Sequence, residues 1–355
     1  MTETLLKATG ITKWFPIRGG VFRRQIGDVK AVDGVDLRID RGETVGIVGE
    51  SGCGKSTLAR VLVKLIEPTA GTVEFEGVDI TNLSRRAMLP YRRDIQMVFQ
   101  DPHGSLNPRH TVGTIIGDPL RVQGTSSARE VKQAVLAVMD RVGLAAEHYS
   151  RYPSEFSGGQ RQRIGIARSV ILRPKLVIAD EPVSALDVSI QAQVLNLMSD
   201  LQDEFGLSYA VIAHDLSVVR HMADRVVVMY LGHVVEQAPA SALYAEPLHP
   251  YTIALMSAVP IPDPDLEQAR SRILLTGDLP SPSNPPSGCV FRTRCPIARE
   301  QCAGEQPQLR ELAPGRFVAC HFPTAATADR TDGAAAGSAP APGSAPAPTA
   351  APAPG

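Results

Sequence analysis

The sequence predicts an α/β fold with a mostly parallel main sheet, followed by a small module rich in proline and cysteine. Three observations carry this. Short, wholly apolar runs such as Leu176–Ala179 and Tyr209–Ala213 alternate with stretches of helical periodicity, as strands buried on both faces and their crossover helices do. Val35-Asp-Leu-Arg-Ile39 and Thr72-Val-Glu-Phe-Glu76 instead alternate apolar with polar residues, the pattern of half-buried antiparallel strands. Proline is unevenly spread: of 29 in the chain, 9 lie in residues 1–238, 14 in 239–323 and 6 in 331–355. Four of the five cysteines fall between 289 and 320, so the second segment differs in kind from the first.

The elements follow in order. Glu43-Thr-Val-Gly-Ile-Val48 reads as a buried strand ending in glycine, and Ser56 to Leu65 as a helix. Ile95-Gln-Met-Val-Phe99 is another strand, followed by Gln100. Ile164, Ala167 and Ile171 mark one face of a helix that opens near Ser157. Between the Leu176 and Tyr209 strands, Ile190, Val194, Leu197 and Leu201 recur at helical spacing. Arg225–Tyr230 and His233–Glu236, split by Leu231-Gly232, read as a hairpin. From about Thr331 the chain is Ala, Pro, Gly and Ser with almost no charge; such a segment cannot offset its ordering entropy and is expected to be disordered.

Composition bounds the function. At 355 residues, 43% hydrophobic and 21% charged, about two globular domains are expected. The 36 basic and 37 acidic residues nearly cancel, so no global charge drives binding to nucleic acid or to an acidic lipid surface. No apolar run approaches the ~20 residues of a membrane span. The chain opens Thr2-Glu3-Thr4 with no charged-then-apolar leader, and a cytosolic location is expected.

Gly49-Glu-Ser-Gly-Cys-Gly-Lys-Ser56 fits the phosphate-loop pattern and lies between a strand and a helix, where that chemistry needs it. Gly49, Gly52 and Gly54 let backbone N–H groups approach phosphate oxygens, and the helix start adds free N–H groups and its dipole. Glu50, Ser51 and Cys53 complete the loop. Lys55 supplies a cation for the β- and γ-phosphates, Ser56 a hydroxyl for Mg²⁺, and Thr57 follows toward the α-phosphate. Cys53 reads as a small residue filling a loop position rather than a redox switch, since free cysteines without an activating partner are inert. Asp180-Glu181 ends a buried strand, placing Asp180 to hold Mg²⁺ through water and Glu181 to polarise an attacking water. His214 ends the next strand and can sense the γ-phosphate. Gln100, also at a strand end, can reach Mg²⁺ or water.

Ser157-Gly158-Gly159-Gln160 is a second anion-binding helix start. One nucleotide needs only one such cradle, unless each serves a different subunit. The ordered set of 49–57, Gln100, 157–160, Asp180-Glu181, Ser184-Ala-Leu-Asp187 and His214 resembles the nucleotide-binding subunit of ATP-binding cassette (ABC) transporters. The resemblance implies a P-loop NTPase fold of ABC type over residues 1–238, with an antiparallel β subdomain and a helical subdomain at about 101–172. It implies a head-to-tail dimer that sandwiches two ATP molecules, each between the phosphate loop of one subunit and Ser157–Gln160 of the other. Phe15 matches the aromatic that stacks on adenine, with Trp14 as its rival. Gln100 contacts Mg²⁺ and communicates with the membrane subunit, Glu181 is the general base, Asp187 lies in the loop crossing the dimer interface, and His214 is the switch histidine. Phe156 stands where many members have Leu.

Asp101-Pro-His-Gly-Ser-Leu-Asn-Pro-Arg109, Tyr152-Pro, Ala179–Ser189, His214–Val219, His249-Pro-Tyr-Thr252 and Gly277-Asp-Leu-Pro-Ser-Pro282 resemble the peptide-import branch, and most of all the second ATPase of a dipeptide permease. This implies a heterodimer with a homologous ATPase subunit. It also implies two membrane permease subunits, an extracytoplasmic substrate-binding protein and a peripheral position on the cytoplasmic face of the membrane. Nickel-chelate importers are close relatives. A soluble ABC ATPase is the rival class, but no coiled-coil insertion and no second phosphate loop interrupts the chain. A purely regulatory ATP-binding module is disfavoured by Glu181 and His214.

Residues 239–323 form the C-terminal extension, leaving 324–355 as the disordered tail. Cys289, Cys295, Cys302 and Cys320 concentrate in this extension. Cytosolic thiols stay reduced, so a disulfide framework is not expected. A [4Fe–4S] cluster, zinc or reduced structural cysteines remain open on spacing and ligand count; the resemblance implies the cluster, as a staple for a module with little core.

Overall fold

The computed structural model describes residues 3–19, 24–124, 127–259, 273, 275 and 277–323. The expected tail, 324–355, lies outside them.

Two long strands, β1 (Thr4–Gly19) and β2 (Arg24–Asp40), pair antiparallel. Then come β3 (Thr44–Val48), α1 (Lys55–Leu62), β4 (Ala70–Phe75) and β5 (Val78–Asp79). The first sheet has the order β2-β1-β4-β5 and is antiparallel throughout. After α2 (Leu89–Asp94) and β6 (Ile95–Val98) come the helices α3 (Pro102–Ser105), α4 (Val112–Val122), α5 (Ala128–Arg141) and α6 (Gly158–Val170). The chain continues through β7 (Leu176–Asp180), α7 (Val188–Phe205), β8 (Ser208–Ala213), α8 (Leu216–Arg220), β9 (Arg225–Tyr230) and β10 (His233–Pro239). It closes with α9 (Ala240–Ala245), α10 (Pro250–Ala258), β11 (Arg310–Ala313) and β12 (Arg316–Val318).

The second sheet runs β11-β12-β10-β9-β3-β8-β7-β6. Its strands from β9 through β6 pair parallel, and every residue of β3, β7 and β8 is buried. This is why those runs are apolar without alternation: helices cover both faces. The parallel register brings the carboxyl ends of β3, β7 and β8 to one edge, the usual place for ligands in such sheets. Ile116 of α4, Val131, Val135 and Met139 of α5 and Ile164 of α6 share one core with the sheet. Ser127 caps α5 in a reciprocal box with Glu130.

Three local differences from expectation have physical causes. The first helix stops at Leu62 instead of Leu65 because Lys64 turns left-handed (φ 57°) and the amides of Leu65 and Ile66 fold back onto the Arg60 carbonyl. The strand expected over 72–76 ends at Phe75, where Glu76 and Gly77 both take positive φ. The sequence reading missed β1 because register shifts along its pairing with β2 interrupt the period of two. In addition, β12 pairs with β10 (Glu236 opposite Val318), so the C-terminal segment extends the main sheet.

Candidate functional site

The phosphate loop leaves β3 at Gly49 and enters α1 through Gly54. Two glycines here answer to packing. A Cβ on Gly49 would strike the Met229 carbonyl, and one on Gly54 (φ 106°) would strike the Ala31 carbonyl on β2. The loop is thus wedged between β9 and the antiparallel sheet. Lys55 is 4% exposed, and its ammonium bonds Gly49 O (2.6 Å) and Glu50 O (2.9 Å). Cys53 is buried, and burial raises its thiol pKa, consistent with an inert filler. Ser51 and Gly52 are exposed, and Ser56 and Thr57 half-buried.

The expected acid and base groups converge beside it. Ser56 Oγ donates to Asp180 Oδ1 at 2.8 Å, tying α1 to the end of β7. Burial pushes the Asp180 carboxyl up, opposed by that hydrogen bond. Its other oxygen, Oδ2, is buried with no protein partner, an orphaned anionic acceptor that suits a cation. Glu181 sits at φ 47° with its amide on Ile212 O, an αL conformation uncommon outside glycine that turns the side chain out of the strand. Its Oε2 accepts from Gln100 Nε2 (2.8 Å) and stands 4.0 Å from His214 Nδ1. Gln100, Glu181 and His214, from three different strand ends, therefore form one chain of contacts.

Ser157–Gln160 lies elsewhere, at the exposed start of α6. Ser157 Oγ accepts from Gln160 N and Gln160 Oε1 from Ser157 N. A Cβ on Gly159 would meet Ile190 at 2.7 Å, and one on Gly158 would meet Leu186 at 3.6 Å, so the tetrad neighbours the segment carrying Asp187. Asp187 is the N-cap residue of α7. The helix start is anchored from behind: Phe156 is buried with its ring edge-on to His148 (5.1 Å), and Arg161 Nε donates to Pro153 O (2.8 Å). Phe15 is 40% exposed. Trp14 is engaged, with its indole N–H on Asp33 and Lys30 over its ring.

Two residues at the loop were not anticipated from sequence. Tyr251 Oη accepts from Glu50 N (2.8 Å), and Arg294 holds the Glu50 carboxylate with two bonds. Tyr251 lies in the His249-Pro-Tyr-Thr252 motif, so a signal existed. Arg294 lies among the cysteines, where no motif points to it.

The four cysteines of the extension are not shown to form the expected cluster site. Among the described residues no group of three or more His, Cys, Asp or Glu side chains is placed to hold a metal ion. Cys289 and Cys302 are buried and Cys295 and Cys320 half-buried, all free. Burial raises the pKa of Cys289, Cys295 and Cys320, the last to about 11.

A parallel sheet with a phosphate loop at its carboxyl edge, an Asp-Glu pair beside it and a second anion-binding helix start define an ATP-binding cassette. The profile of the ABC transporter family matches residues 32–184, and that of the oligopeptide/dipeptide transporter C-terminal region matches 235–302. The oligopeptide transport ATP-binding protein AppF of Bacillus subtilis (strain 168) is 56% identical over 321 residues, covering 90% of this chain and 98% of that relative. The dipeptide transport ATP-binding protein DppF of Haemophilus influenzae is 52% identical over 316 residues, covering 89% and 96%. The dimeric post-hydrolysis structure of the cassette MJ0796 with ADP and Pi superposes with a TM-score of 0.60 at 29% identity, covering 66% of this chain and 98% of that one. The chain belongs to the ABC transporter family, in its group of oligopeptide/dipeptide transport ATP-binding proteins, and it is an ATPase.

Proposed function

We propose that this chain is the ATP-hydrolysing subunit that energises import of dipeptides or oligopeptides through partner membrane permeases. Residues 1–238 are its ATPase domain, 101–172 the helical part of that domain, and 239–323 its extension. The observation that carries the reading is the single cluster of Lys55, Ser56, Asp180, Gln100, Glu181 and His214 at one sheet edge.

In this reading the loop amides of residues 49–57 and Lys55 hold the β- and γ-phosphates, and Phe15, exposed with Lys13 Nζ 5.2 Å from its ring centre, stacks on adenine. Ser56, Asp180 and Gln100 would hold Mg²⁺, which when bound neutralises phosphate charge. Glu181, restrained by Gln100, orients and polarises the attacking water, and His214 stands where it can meet the γ-phosphate. Ser157–Gln160 and Asp187, set apart on an exposed helix start, complete the site of a homologous second ATPase subunit. Permease contact falls on the groove of about 540 Å³ lined by Leu65, Leu89, Phe99 and Val122, one residue from Gln100. Among the described residues no helix is long and apolar enough to cross a membrane; in this reading the chain sits at the cytoplasmic face, attached through the permeases. A substrate-binding protein supplies the peptide.

Glu181→Gln in the assembled transporter is expected to trap an ATP-bound closed dimer, read as loss of phosphate release with ATP retained; turnover at the wild-type rate would remove Glu181 as the base. Uptake of labelled dipeptides, longer peptides and nickel chelates by vesicles holding the full assembly decides the cargo, and nickel uptake without peptide uptake overturns the peptide reading. The [4Fe–4S] reading of the four cysteines is supported by their shared neighbourhood: charge on Cys289, Cys295 and Cys302 bears on Cys320. Iron analysis and visible absorption of anaerobically purified protein test it, and a colourless, iron-free protein overturns it.

A further inference from the structure

The C-terminal extension reaches back to the phosphate loop at Glu50. Arg294 Nη1 donates to Oε2 at 2.6 Å and Nη2 to Oε1 at 3.0 Å, a paired fork. The Arg294 side chain is 8% exposed and that of Glu50 28%, so the pair is largely withdrawn from water. The same residue's amide donates to Tyr251 Oη at 2.8 Å. Tyr251 packs in turn edge-on against Tyr230 of β9 (4.8 Å between ring centres) and at a tilt against Phe291 (5.4 Å), three residues before Arg294. Side chain and backbone of one loop residue are therefore both held by the extension, 244 and 201 residues away.

The electrostatics give this contact a purpose. Glu50 places a negative charge inside a loop whose task is to bind a polyanion. Its carbonyl accepts from Lys55 Nζ at 2.9 Å, so the conformation of Glu50 bears directly on the phosphate-binding lysine. Left uncompensated in a partly desolvated site, that carboxylate would repel the triphosphate, and like charges a few ångströms apart interact strongly there. A bidentate guanidinium cancels it and fixes its geometry at once.

We propose that Arg294 is a positioning residue of the nucleotide site, neutralising Glu50 and, with Tyr251, holding the phosphate loop in its ATP-accepting form. The inference rests on the ATPase reading, and the two fail separately: a wild-type chain that does not bind ATP sinks the reading, whereas the inference is judged only by differences among variants.

The test measures Mg-ATP affinity of the full-length chain by equilibrium binding, and KM against kcat in the assembled transporter. Arg294→Met is expected to weaken ATP binding about tenfold, raising KM while kcat at saturating ATP stays within about twofold. Adding Glu50→Gln to Arg294→Met removes the uncompensated charge and is expected to restore affinity to within about threefold, with Arg294→Lys in between. A merely structural arginine predicts no such rescue. Wild-type affinity in Arg294→Met, or a loss that Glu50→Gln does not relieve, overturns the proposal. If Arg294→Met does not fold, the double variant carries the test: recovery of folding and ATP affinity supports charge cancellation, and failure of both overturns it.

Discussion

Gly52 and Gly54 look equivalent in the sequence, two glycines of one loop, yet the structure separates them. Gly52 has φ 81° and open space where a Cβ would go, whereas Gly54 has φ 106° and the Ala31 carbonyl there, its carbon 3.1 Å away and its oxygen nearer. Gly52→Ala meets only the cost of a residue held in a sparsely populated backbone region, about 1 kcal/mol. Gly54→Ala meets that cost and must also push β2 from the loop. Asp33 N–H bonds Gly232 O and Lys30 N–H bonds Pro282 O, so displacing β2 strains two further contacts of about 1 kcal/mol each. The expected loss is about 3 kcal/mol for Gly54→Ala against about 1 for Gly52→Ala. At about 2 °C per kcal/mol for a chain of this size, thermal unfolding without nucleotide should fall by about 6 °C and 2 °C. Running the scan without ATP keeps phosphate contacts out of the comparison. Equal melting temperatures, or a larger drop for Gly52→Ala, would refute the claim that β2 wedges the loop.

Further outcomes can be measured in the same chain. Phe156→Leu removes the edge contact with the His148 ring and leaves a small void, costing about 1–2 kcal/mol; melting should fall by a few degrees with ATPase activity in the assembled transporter retained. Glu236, fully buried, accepts from the amides of Leu248 and His249. Glu236→Ala orphans both donors and should cost about 3 kcal/mol, exposing the segment after β10 to limited proteolysis, while Glu236→Gln costs less. Burial pushes His249 from its ordinary 6.5 down to about 3. Below pH 6.5 the unfolded imidazole takes a proton that the folded one refuses, so the contribution of His249 is complete above 6.5 and erodes as pH falls toward 3. Between pH 6.5 and 5.5 it amounts to about 1 kcal/mol. His249→Asn keeps an acceptor for the Tyr251 amide and should remove that slope from urea titrations; an unchanged slope assigns it to other groups.

Much of the site was legible because its chemistry is local. A phosphate loop needs glycines, a lysine and a hydroxyl within eight consecutive positions, and the candidate groups at strand ends follow runs that are apolar for reasons of burial. Gln100, Asp180, Glu181 and His214 were picked as candidates this way, and the parallel register places them at one edge. The β1 strand was not legible because its bulges break the alternation that marks a strand. The cysteines were legible only as residue type and spacing, which do not say where the sulfurs go.

By itself, the sequence determined the fold class and the phosphate-loop motif and placed the candidate site residues at strand ends, since each rests on short-range pattern or residue type. Only the tertiary structure decided that β12 joins the main sheet at β10, that the Trp14 indole N–H is held by Asp33 while Phe15 is left 40% exposed, and that Arg294 and Tyr251 hold Glu50. The two Glu50 contacts join residues 201 and 244 positions apart. Nothing in either segment alone encodes them, because charge pairing and close packing act between surfaces that exist only once the chain has closed on itself.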